Sequence, residues 1–100
     1  MIVQHATIPL SPDAREDGLD ALRELGEQSR AESGVVEYRV TVDAEDDTLV
    51  HIIERYEDES ALGAHSESDH FAAFQEALPT FLGGDPEIVR LDVAETTQVM

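Results

Sequence analysis

The side chains of this 100-residue chain that could carry out chemistry gather between residues 54 and 71. The stretch runs Glu54-Arg55-Tyr56-Glu57-Asp58, then a short segment to His65, then Ser68-Asp69-His70-Phe71. An imidazole titrates near neutrality, so His65 suits the removal of a proton from a phenolic or enolic oxygen. The blander reading makes it a helix-terminal or core-edge side chain that touches the last carbonyls of a helix. Glu54 falls mid-strand between Ile52 and Tyr56, where an unpaired carboxylate is costly to bury. Three fates are open to it: an ion pair with an arginine, exposure, or a place in a pocket where it orients His65 or a substrate hydroxyl. His70 opens the next helix, where the dipole disfavours a positive charge. It reads as structural, with contact to a substrate as the alternative. Tyr56, Phe71 and Phe74 supply aromatic walls, and Phe71, Phe74, Leu78 and Phe81 also make a core stripe.

Other chemistries are excluded. Cysteine is absent, which removes disulfides, thiolate metal sites and thiol nucleophiles. On a single helix His65 and His70 would lie roughly 140° apart, and His51 points away from Glu54 on its strand; two imidazoles and a carboxylate could still converge through the fold, but no metal is expected. Asp43 to Asp47 is acid-rich, but Thr48 stands where a calcium loop requires glycine, and the segment reads as a hairpin turn. No nucleophile elbow, phosphate loop or dinucleotide fingerprint is present.

The elements that must position these groups follow from periodicity. Residues 2–10, 35–42, 48–56 and 87–93 alternate as strands. Ser11-Pro12 starts a helix whose apolar stripe is Leu19, Leu22, Leu25 and Ser29, and which Gly34 is expected to end. Asp58 caps a short helix to about Ser66, and Ser68 caps another from Asp69 to about Leu82. The order β-α-β-β-α-β predicts an α+β, ferredoxin-like split βαβ fold over residues 1–100, one domain with two helices covering one face of a four-stranded antiparallel sheet. The third strand is apolar on both faces, Leu49 and Ile53 against Val50 and Ile52. That predicts a homodimer packed through the uncovered sheet faces.

Charge narrows the partners. Twenty-three acidic residues face six arginines and no lysine, a formal −17. Nucleic acid and anionic membranes would be repelled. Because the acids are spread along the chain, they read as the surface of a protein adapted to high salt, where ions screen self-repulsion. The N-terminus has no signal-peptide pattern and no run approaches the ~20 apolar residues of a membrane span. A soluble, cytoplasmic protein is expected.

The 54–71 segment resembles the antibiotic biosynthesis monooxygenase family, whose members typically read Glu-Arg-Trp-Glu-Asp, a short helix ending in His, then Ser-x-His-Phe. Likeness extends to Ala6-Thr7-Ile8, Pro12, Ser29-Arg30-Ala31-Glu32-x-Gly34 and the closing strand. Tyr56 replaces the usual Trp. The resemblance implies a dimeric α/β barrel and a cofactor-independent oxygenase acting on a quinol or polyphenol, with His65 as base, Glu54 as orienting group, and Tyr56, Phe71, His70 and Phe74 against the substrate. Haem-degrading relatives place an axial His further along the second helical segment; Ala72 to Glu76 offer none, so no haem and no other cofactor is expected. A dimer that binds or senses a small molecule without turnover, and an isomerase or decarboxylase of a small carbonyl compound, are the alternatives.

Overall fold

A computed structural model describes residues 1–100. Strand β1 (Ile2–Pro9) is followed by a 3-10 turn (Pro12–Ala14) and helix α1 (Arg15–Arg30). Strands β2 (Val35–Val42) and β3 (Leu49–Tyr56) form the hairpin; α2 (Glu59–Ser66), α3 (Asp69–Ala77), a 3-10 turn (Leu78–Thr80) and β4 (Glu87–Asp92) complete the chain. The four strands make one antiparallel sheet in the order β2-β3-β1-β4. The helices lie on one face, as the order of elements predicts. None is long and apolar enough to cross a membrane.

Alternation decides which side chains reach the core. Ile2, Ala6 and Ile8 of β1 and Val50, Ile52, Glu54 and Tyr56 of β3 all turn inward. Leu19, Leu22 and Leu25 of α1 meet them, so one apolar stripe seals one sheet face. Phe74 and Phe81, 6.0 Å apart between ring centres, close the far end.

Four local details differ from the sequence reading, each for a stated reason. Ser11 makes no side-chain cap; its carbonyl closes the turn by accepting from Ala14 N, and α1 proper starts at Arg15. Gly34 does not end α1, which stops at Arg30, and it has no positive φ. It is needed because a Cβ there would sit 2.3 Å from the Ala61 Cβ, so the turn packs directly on α2. A bulge between Val35 and Glu37 shifts the register of β2, which sends Val36 outward and turns Val35 towards the core. Pro79 cannot continue α3, which ends at Ala77 and tightens into the 3-10 turn that still delivers Phe81 to the core.

β4 stands apart. It pairs only with β1, and every one of its residues is exposed, because no helix lies over it. Its Ile88 faces the helical side at 60% exposure, while Val89 and Leu91 belong to the other, uncovered face with Val3 and Ile53.

Candidate functional site

The hairpin register sets the floor of the site. Tyr38 of β2 lies directly opposite Glu54 of β3, and both point under the helices. Glu54 is 4% exposed and finds no arginine. Its partner is Tyr56, two residues along the same strand face, whose hydroxyl donates to the carboxyl oxygen at 2.5 Å. Burial pushes the Glu54 carboxyl up to about 7, and the hydrogen bond from Tyr56 restrains that rise. Burial, reinforced by the charge of Glu54, also raises the Tyr38 and Tyr56 hydroxyls, which stay neutral donors.

Two helix caps set the roof. Asp58 accepts from Ala61 N at 2.9 Å and starts α2; Ser68 accepts from Phe71 N at 3.2 Å and starts α3. The Ser68 hydroxyl also donates to the His65 carbonyl at 2.7 Å, which locks the corner between the helices. His65 is thereby delivered from the last turn of α2 into the interior at 3% exposure. Its ring packs against Tyr38, Tyr56 and Phe71, with ring centres 5.5, 5.5 and 5.1 Å away. His65 Nδ1 is 2.9 Å from a Glu32 carboxyl oxygen, and His70 Nε2 is 2.7 Å from that same oxygen.

Between floor and roof lies a cavity of about 180 Å³, walled mainly by Tyr38, Glu54, His65, Phe71, Phe74 and Ile88. It is mostly apolar, with Gln4, Tyr38, Glu54, His65 and Ser66 as its polar lining. Because Ile88 is exposed and uncovered by helices, the cavity communicates with solvent along β4.

A family model described as "Antibiotic biosynthesis monooxygenase" matches residues 1–77. The chain belongs to the antibiotic biosynthesis monooxygenase family. The Bacillus subtilis protein called "Putative monooxygenase YcnE" is 30% identical over 95 residues, covering 95% of this chain and all of the relative. A solved Pseudomonas aeruginosa structure is 31% identical with a TM-score of 0.86, covering 94% of both chains. A Deinococcus radiodurans structure described as a member of the same family has a TM-score of 0.91 at 20% identity, covering 100% of this chain and 99% of its own; that likeness concerns the fold.

Within this family member, four of the side chains singled out from sequence meet at the cavity: Glu54, His65, Phe71 and Phe74. Tyr56 lies behind Glu54, fully buried and bonded to it. His70 faces a separate hollow between α1 and α3, beside Glu24 and Gln28. His51 bonds Asp43 at 2.8 Å and Thr7 at 3.3 Å on the uncovered sheet face, far from Glu54 in function.

Two residues escaped the sequence reading. Tyr38 carries no chemical signal of its own on strand β2, although counting outward from the turn at Asp46 places it opposite Glu54. Glu32 enters the sequence reading only within the family-like run from Ser29 to Gly34, and nothing local assigns it a role at the site. His65 and His70 would diverge only on one continuous helix. The chain breaks at Glu67, and α3 turns back so that both imidazoles converge on Glu32. These three side chains bring one potential ligand atom each within 4.8 Å, the geometry from which a divalent ion could be held. In this structure both imidazoles bond the same carboxyl oxygen.

Proposed function

We propose that this chain is a cofactor-independent monooxygenase of a quinol or polyphenol. The observation that carries the reading is the cavity itself: a small, mainly apolar chamber lined by the His65 imidazole, the Glu54 carboxyl group near its titration point and Tyr38. His65 takes the proton of a ring hydroxyl. The resulting anion is electron-rich enough to reduce dioxygen directly. One oxygen atom enters the ring and the other leaves as water; the substrate supplies the electrons as it becomes a hydroxylated quinone, so no outside reductant is required. Tyr38 and protonated Glu54 donate hydrogen bonds to the substrate's oxygens, and Phe71 and Phe74 hold the ring in a dry setting.

Oxygen uptake with a panel of single-ring quinols tests this, combined with mass spectrometry under isotopic dioxygen. One labelled atom in the product per dioxygen consumed is expected. A ligand-induced rise in melting temperature without uptake would instead favour a binding protein, and a rearranged product without uptake would favour an isomerase.

The working form we propose is a homodimer in high salt. Val3, Ile53, Val89 and Leu91 lie together on the open sheet face, and burying about 400 Å² of such surface per subunit contributes on the order of 10 kcal/mol before association costs. Light scattering is expected to give twice the chain mass, and Ile53→Asp to give one. The ion pairs on the surface engage few of the acids, so the remainder repel one another. The melting midpoint is therefore expected to climb from dilute buffer to molar potassium chloride; a flat profile contradicts the salt adaptation.

A further inference from the structure

The geometry points to Glu32 and His70 as a positioning pair that fixes the proton of His65 on Nδ1 and leaves Nε2 as the acceptor facing the cavity, an assignment that rests on His65 being the base. A carboxylate can only accept hydrogen bonds. Two imidazole nitrogens approach the same Glu32 oxygen, His65 Nδ1 at 2.9 Å and His70 Nε2 at 2.7 Å, so each must carry its hydrogen there. A neutral imidazole has one N–H. The remaining nitrogen of His65, Nε2, therefore keeps its lone pair, and it has no partner within the chain.

Each member of the arrangement is held. Glu32 sits in a turn tied at both ends, its N–H donating to Ser29 O at 3.1 Å and its carbonyl accepting from Val35 N at 3.2 Å. The His65 ring cannot swing, because Tyr38, Tyr56 and Phe71 surround it. Glu32 alone could rotate and offer either oxygen. His70 removes that freedom by engaging the oxygen already bonded to His65. His70 is not among the cavity walls, and its ring faces the hollow between α1 and α3. Its ring centre is 6.2 Å from that of His65, and its polar link to His65 runs through the shared Glu32 oxygen. Three separate elements, the turn after α1, the end of α2 and the start of α3, thus converge to set one tautomer.

The same three atoms could instead be bridged by a divalent ion, and the two arrangements make opposite statements about His65. A metal on Nδ1 displaces its hydrogen, so Nε2 would carry the proton and could no longer accept one.

The test is a long-range proton–nitrogen NMR spectrum of the full chain labelled with ¹⁵N-histidine, which reports each ring nitrogen as protonated or bare. In the wild-type protein as purified, His65 is expected to show a protonated Nδ1 and a bare Nε2, and His70 a protonated Nε2. Glu32→Ala is expected to mix the two His65 tautomers, and His70→Phe, which keeps the ring volume, to shift them less. With a quinol substrate, Glu32→Ala should lower kcat about 100-fold while KM stays unchanged, because Glu32 does not touch the substrate. A wild-type His65 protonated on Nε2, with or without an ion on Nδ1, overturns the inference. So does a tautomer indifferent to Glu32→Ala. The spectra decide even if no quinol is turned over, which separates failure here from failure of the proposed reaction.

Discussion

Replacing His65 with glutamine is expected to slow quinol oxidation roughly 10²–10⁴-fold, the range by which a positioned general base accelerates proton transfer. The imidazole offers a ring nitrogen with no partner in the chain, and an amide nitrogen cannot take up a proton in its place. Glutamine is a better probe than alanine because His65 is buried among three aromatic rings. Truncation to alanine would leave a hole there costing about 3 kcal/mol or more, and lost activity would then report lost structure. Glutamine fills most of the space and can still donate to Glu32. The measurement is the initial rate of dioxygen uptake at saturating quinol, beside a thermal melt of the same preparation. Turnover equal to wild type, in a variant that melts cooperatively, removes His65 from the mechanism.

How far the sequence disclosed this site depends on how local each cause is. Asp58 and Ser68 were legible as caps because a cap is decided within four residues, and both accept the expected backbone N–H. Glu54 was legible as an anomaly, a carboxyl on an inward strand face, but not its solution. The nearest arginine was the obvious partner, whereas the fold supplies the Tyr56 hydroxyl. The bulge at Val35 was hidden because two adjacent valines satisfy either register equally well. Glu32 was hidden more deeply. Its role depends on two histidines more than thirty residues away, brought round by a corner whose direction no periodicity encodes. Local rules found the elements and the suspicious side chains; only tertiary contact sorted cavity walls from supports.

Glu54→Gln is expected to stabilise the protein at alkaline pH and not at acid pH. The native carboxyl titrates at about 7 against an ordinary 4.5, because burial penalises its charge. Between those values the folded chain retains a proton that the unfolded chain has lost, so the unfolded state binds fewer protons and stability falls as pH rises. Above the native value both states are ionised and the penalty levels off. Each unit is worth about 1.4 kcal/mol, so the gap from 4.5 to about 7 amounts to a cost of about 3 kcal/mol in the wild type. Glutamine still accepts from Tyr56 but cannot ionise, and escapes this cost; its amide N–H, if left unpaired, subtracts about 1–3 kcal/mol at every pH alike. The informative quantity is therefore the change in the difference between variant and wild type. Urea unfolding at about pH 5 and about pH 8 should move that difference by about 2.5 kcal/mol in favour of glutamine, since at the lower pH part of the cost is already present. A difference that is the same at both ends would mean that Glu54 is ionised in the native state throughout. It could then not donate a hydrogen bond to a substrate oxygen near neutrality, and Tyr38 would be left as the donor lining the cavity.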